Sequence, residues 1–338
     1  LRSLVAAALV VCTGSALVAG CSSDTGPTDE LMVSSNPVAA TAARSPEQTA
    51  TPPGTVLPLD APVTAAAVDA GSRTLALAVA TPPSIRLLDL DQPDAEPRTV
   101  PLDGPASALS VADGGTLIAS LGERGSVVRV DLASARATPS PVDGAPVDSA
   151  GFGADTLVAV RDQRGVAVLG GDNTVRKVIT GGLLSADQVY GAGERAIVLD
   201  RLRNAVFQLD VDGGTIGEGL RAGQGSTNGV VDRYDRVLVT DTRGGALLAF
   251  SADPLLMRQR FPVPGAPYGI AYDPQRDLAW ITLTERNEVV AFAVAGGEPV
   301  ERHRFPTVTQ PDHIAVDPTT GRVVVASATG AGVQVITP

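Results

Sequence analysis

Short alternating apolar runs recur along this chain at a nearly fixed spacing, and no stretch shows the apolar period of a long amphipathic helix. Each copy is an alternating run, a turn containing Gly or Asn, and a second apolar run that ends near an aspartate. The second runs hold Leu75, Leu117, Leu157, Ala196, Val237, Leu278 and Val323, which makes seven copies. Leu75 and Val323 lie 248 positions apart over six intervals, a period of about 41 residues, which suits propeller blades and not helical solenoids. The clearest copy predicts four strands, over 267–273, 278–283, 289–294 and 301–305, named A to D from the inside outward. A Gly296-Gly297 pair joins C to D, and Gly170-Gly171 and Gly213-Gly214 take the same place in other copies. There a left-handed backbone costs glycine little. The blades are predicted to begin near Val63, Ala106, Val147, Asp187, Asn228, Tyr268 and Asp312.

The last copy lacks an outer strand before the sequence reaches Pro338. The run over 55–59 resembles the outer strands at 99–102 and 260–263, so it is predicted to complete the seventh blade and close the ring. The expected fold is all-β: a seven-bladed β-propeller of four-stranded antiparallel blades over 55–338, closed by an N-terminal outer strand in the last blade.

Composition narrows the function classes. The 338 residues carry 36 Gly and 26 Pro but only 3% aromatics, as expected for many short strands with Ala, Val and Leu cores and tight turns. The net charge of -11 repels phosphate backbones, which disfavours nucleic acid as a partner. Lys177 is the only lysine, so the positive charge is carried almost wholly by arginine.

The N-terminal region reads differently. Arg2, an apolar run over 4–11 and small residues up to Gly20 have the parts of a secretory signal and are too short for a full membrane span. Leu17-Val18-Ala19-Gly20-Cys21 resembles the bacterial lipoprotein lipobox. That resemblance implies cleavage after residue 20 and acylation of Cys21, including a palmitate-type chain, so that the protein is held at the extracytoplasmic face of the cell membrane. Two or three acyl chains give stable anchoring where one does not. Cys12 lies in the leader, which leaves the mature domain without a disulfide or a thiol nucleophile. Residues 22–54 are rich in Ser, Thr, Pro and Ala without an apolar period, so 21–54 reads as the lipidated cysteine and a disordered tether.

The segments Val239-Thr240-Asp241-Thr242-Arg243-Gly244-Gly245 and Val198-Leu199-Asp200-Arg201-Leu202-Arg203-Asn204 resemble NHL and YVTN-type (YncE-like) repeats over about residues 55–338. Together with the lipobox, the Pro/Thr-rich stretch and the segment from Asp241 to Gly269, the chain is similar to the LppL-type lipoproteins of mycobacteria and related actinobacteria. The resemblance implies a surface-anchored propeller and no particular activity.

In an antiparallel blade the D-to-A connections and the B-to-C turns share one face, and the former surround the channel mouth. Asn228, Tyr268, Asp312 and His313 fall on D-to-A connections and are candidate ligand-binding residues. Arg124, Arg164, Arg203, Arg243 and Arg286 fall on B-to-C turns. They are either solvated hairpin residues kept by repeat duplication or a crown that holds an anionic ligand or acidic partner through paired guanidinium donors, with Arg203, Arg243 and Arg286 as its test positions.

No catalytic or metal-ligating set stands out. No cluster has zinc spacing, Asp210 and Asp212 lack the rest of an EF-hand loop, and Trp280 reads as core. Gly191-Ala192-Gly193 falls in a strand–strand turn with no helix to receive a phosphate, so it is not a dinucleotide site. The expected role is a non-catalytic binding or scaffold module for an envelope protein or a small anionic ligand, without a cofactor. The alternative is a lactonase-type or other propeller hydrolase with a divalent cation, such as Ca2+, at the channel mouth near Asn228, Tyr268 and Asp312.

Overall fold

In the computed structural model, which describes residues 35–92 and 95–338, the described residues form seven four-stranded antiparallel sheets. The innermost strands are Val63–Asp69, Ala108–Ala112, Pro146–Phe152, Gln188–Ala192, Ser226–Val231, Pro267–Asp273 and His313–Val316, one per blade. They begin within two or three residues of the starts predicted from the repeat. A single short 3-10 turn, Gly122–Arg124, is the one helical element among the described residues. The signal-peptide and lipobox residues, including Cys21, lie outside the described residues.

The ring is built because each blade is apolar on both faces. Strand B of blade 3, Asp155–Val160, sends Leu157 and Ala159 into a cluster shared with blade 4. Its intervening Val158 and Val160 enter a cluster shared with blade 2. The strand period of two therefore feeds two cores at once, which is why strand B reads as a continuous apolar run. The same division recurs around the ring, and each of the seven apolar clusters joins neighbouring blades. Trp280 is fully buried between blades 6 and 7, as expected.

Blade 7 takes its outer strand from the other end of the propeller. Thr55–Leu57 pairs antiparallel with Val333–Ile336, with Thr55 opposite Val335 and Leu57 opposite Val333. The paired stretch is two residues shorter than the predicted 55–59, since Pro58 lacks an amide hydrogen for the ladder. Leu57 and Leu59 pack against the cluster of Val63, Leu75, Leu77, Val324 and Val333 that seals blade 7 to blade 1.

Two expectations need correction. At Gly170-Gly171 the left-handed residue of the turn is Asn173 (φ 65°), whereas Gly214 and Gly297 do adopt that conformation. More consequentially, residues 36–54 carry no strand or helix, yet they are not a free tether, because side chains of the ring grip their backbone. Arg243 donates to the Val38 carbonyl, Arg201 to Ala40, Gln310 to Ala43 and Asn287 to Pro46. Gln334 donates to Pro53. This strap crosses blades 5 and 4 to blades 6 and 7 on the D-to-A face, and its own Ala40 is buried against the ring.

Candidate functional site

The seven inner strands surround a channel of about 590 Å3. Asn228, Tyr268, Asp312 and His313 all line it, as their place on the D-to-A connections predicts. Arg203, Arg243 and Arg286 do not. They stand on the B-to-C turns of blades 4, 5 and 6, farther out on the same face. The stem of Arg243 lies so close to Gly225 that a Cβ there would sit 2.7 Å from it, and Arg286 covers Gly265 in the same way at 2.9 Å. Arg124 repeats the arrangement on Gly104 in blade 2 and donates Nε to the Asp103 carbonyl. These arginines pack on the preceding D-to-A connection, and Arg203 lies 3.7 Å from Asp200. The geometry does not gather them into one crown.

A second layer of the repeat accounts for several channel residues. Thr64 Oγ1 donates to the Ala106 carbonyl at 2.6 Å, and Ser107 Oγ to Val147 at 2.9 Å. Asp148 Oδ2 accepts from the Val189 amide at 3.0 Å, and Gln188 Oε1 accepts from Gly229 at 3.0 Å. Asn228 Nδ2 donates to the Tyr268 carbonyl at 3.1 Å, and His313 is hydrogen-bonded to the Val63 backbone. Each bond links one blade to the next, so the side chains form a belt around the inner wall. Satisfying backbone groups of the inner strands in this way avoids the cost of leaving them unpaired. Asn228 and His313, chosen from the sequence as ligand-binding candidates, are both members of this belt.

The belt also sets the electrostatics. Burial pushes the Asp148 carboxyl up to about 7, with the Val189 and Ser149 amides opposing it. Burial likewise pulls His313 down to about 4, so its ring is neutral at physiological pH. The Tyr190 hydroxyl, held well above its ordinary pKa by burial, donates to Gln188 Oε1 at 2.8 Å.

Charges free of the belt collect at the mouth. Arg161 and Arg201 directly follow strand B of blades 3 and 4, and both line the channel. Arg161 Nε donates to Asp187 Oδ1 at 2.8 Å, and the same carboxylate accepts from Ser185 Oγ and from the Arg201 amide. On blade 7, Asp312 Oδ1 accepts from Gln310 Nε2 at 2.8 Å. Burial raises Asp312 to about 6, partly offset by the Gln310 bond. Arg161 and Arg201 are the residues that sequence reasoning missed. Their signal was present as the first residue after the strand-B apolar run, but attention fell on the arginines that precede Gly or Asn in the same turns.

Among the described residues no three His, Cys, Asp or Glu side chains come together as a metal-binding group. The Asn228 amide is engaged with Tyr268, and Asp312 stands across the ring from Asp148 and Asp187. His303, the other histidine, stacks on Trp280 at 5.5 Å in the outer part of blade 6, away from the channel.

No family model matches the chain, and no curated protein matches it in sequence. Solved structures do resemble it. The hydrazine synthase of Kuenenia stuttgartiensis superposes with a TM-score of 0.70 at 16% identity, covering 86% of this chain and 99% of that one. A streptogramin B lyase gives 0.70 at 11% identity, over 83% and 95% of the two chains. A catalytically inactive virginiamycin B lyase from Staphylococcus aureus, solved with quinupristin, gives 0.71 at 13% identity, over 84% and 98%. At these identities the likeness is one of fold, a seven-bladed β-propeller similar to virginiamycin B lyase.

Proposed function

We propose that this chain is an LppL-like lipoprotein of the cell envelope, held at the extracytoplasmic face of the membrane by acylated Cys21, whose propeller binds a small polar ligand at the channel mouth without transforming it. The observation that carries the binding role is the half-exposed Arg161 guanidinium. It is fixed through Nε by Asp187, and its two terminal nitrogens have no hydrogen bond among the described residues. Oriented donors at the edge of a cavity large enough for a small molecule, within a rigid ring, are the ordinary makings of a ligand site. The anchor rests on the sequence from Leu17 to Cys21 alone. A further protein of the envelope as partner would use the same face, beside the strap.

Two measurements test the reading. Cys21→Ala should release the protein from the membrane fraction and abolish incorporation of labelled palmitate, and unchanged fractionation would refute the anchor. Small compounds that carry a carboxylate should raise the melting temperature of the full chain, and Arg161→Gln should reduce that shift. Turnover of a lactone or of quinupristin above the uncatalysed rate would replace binding with hydrolase or lyase chemistry.

A further inference from the structure

The channel mouth has two poles. Blade 7 stands across a seven-membered ring from blades 3 and 4, so Asp312 faces the wall that carries Arg161 and Arg201. On the cationic wall Asp187 balances one arginine, while the buried Asp148 carboxyl keeps only part of its charge. The wall retains net positive character. On the opposite wall the belt histidine, His313, is neutral, and Asp312 is the charged group.

Both poles are held by the same strap. The Ala40 carbonyl accepts from Arg201, and the Ala43 carbonyl accepts from Gln310 Nε2 at 2.9 Å. That nitrogen also donates to Asp312 Oδ1, so one side-chain amide clamps the carboxylate against the strap and leaves Oδ2 without a hydrogen bond among the described residues. Ser45 closes the clamp, accepting from the Gln310 amide through Oγ at 3.0 Å and donating its own amide to Gln310 Oε1 at 3.1 Å. Guanidinium donors fixed on one side and a carboxylate fixed on the other complement a molecule that carries both charges, whereas an anion or a cation alone satisfies one pole and leaves the other facing it unpaired.

We infer that the channel mouth selects a small zwitterion, a molecule with a carboxylate and an ammonium group separated by a short polar spacer such as a dipeptide, bound with its carboxylate on Arg161 and Arg201 and its ammonium on Asp312. The inference rests on the binding role proposed above and specifies its ligand class.

The test uses one scaffold in four charge states: alanyl-alanine, its N-acetyl derivative, its C-terminal amide, and the derivative capped at both ends. Each is titrated calorimetrically into the full chain in detergent. The free dipeptide should bind about tenfold or more tightly than either singly capped form. Asp312→Asn, nearly isosteric, should reduce the dipeptide to the affinity of the N-acetyl form, and Arg161→Gln should reduce it to that of the amide. Lowering the pH from about 7 to about 5 should weaken the amide, which Asp312 alone holds, because Asp312 takes up a proton near pH 6, and should not weaken the N-acetyl form, because Asp148 takes up a proton over the same range and leaves the arginine wall more positive. A singly capped form that binds as well as the dipeptide, or an Asp312→Asn protein with unchanged affinity and an unchanged melting temperature, overturns the zwitterion assignment and leaves the binding role standing. Absence of binding by all four compounds overturns both.

Discussion

Channel-facing polar residues divide into two kinds. Thr64, Ser107, Asp148, Gln188, Asn228 and His313 each bond to the backbone of the following blade, and their first duty is to the ring. Arg161, Arg201 and Asp312 are fixed at the mouth by neighbours yet still open toward the cavity. Asp148 gives the clearest pH signature. Its folded pKa of about 7 lies above the unfolded carboxyl value, so between about pH 4 and pH 7 the native state holds more protons and stability falls as pH rises. His313 acts in the opposite sense, because a folded value of about 4 makes stability rise between about pH 4 and 6.5. Asp148→Asn keeps an acceptor for the Val189 amide and removes the titration. The variant should therefore gain thermal stability relative to the native chain as the pH is raised from about 4 to about 8, as scanning calorimetry would show, and parallel curves would disprove a buried titrating Asp148. Asn228 and His313 were singled out from the sequence by their place at the start of a blade, and Thr64, Ser107, Asp148 and Gln188 occupy the equivalent place in earlier copies of the repeat without having been singled out. Their partners were not legible there, because a bond to the next blade's backbone depends on the rotation between blades.

The strap is the element that the sequence misrepresented. Residues 36–54 have the composition of a free linker, and no apolar period marks them as part of the fold. They are ordered mainly by backbone groups, which carry no compositional signal, with the Ser45 and Gln48 side chains adding bonds to the ring. Ser45 is the closest thing to a cue, donating to the Thr284 carbonyl at 2.7 Å in addition to clamping Gln310. Replacing Ser45 by Ala should cost about 1–2 kcal/mol in denaturant unfolding and speed proteolysis within the strap, since each lost hydrogen bond contributes about 0.5–1.5 kcal/mol. A protease that cuts 36–54 as fast as an unfolded peptide would show that the strap is not seated.

At the scale of the whole molecule, ring closure is the shared dependency. In the outer strand Thr55–Leu57, Thr55 and Val56 (40% exposed) face outward and Leu57 is seated in the seam between blades 7 and 1. Leu57→Asp should accordingly destabilise the fold by about 2–3 kcal/mol and Val56→Asp by under about 1 kcal/mol, measured by chemical unfolding. Equal effects would mean that the seam does not depend on this strand. The number of blades, their order and the need for an outer strand from the N-terminal side were determined by sequence alone, because strand periodicity and a repeat of about 41 residues are local properties that survive without coordinates. The belt, the grip of the ring on the strap, and the placing of Arg161, Arg201 and Asp312 around one channel were decided by the tertiary structure. Most belt bonds join residues about forty positions apart and the strap bonds join residues more than 160 apart, and their geometry follows from how the blades are turned against one another, which the one-dimensional pattern does not encode.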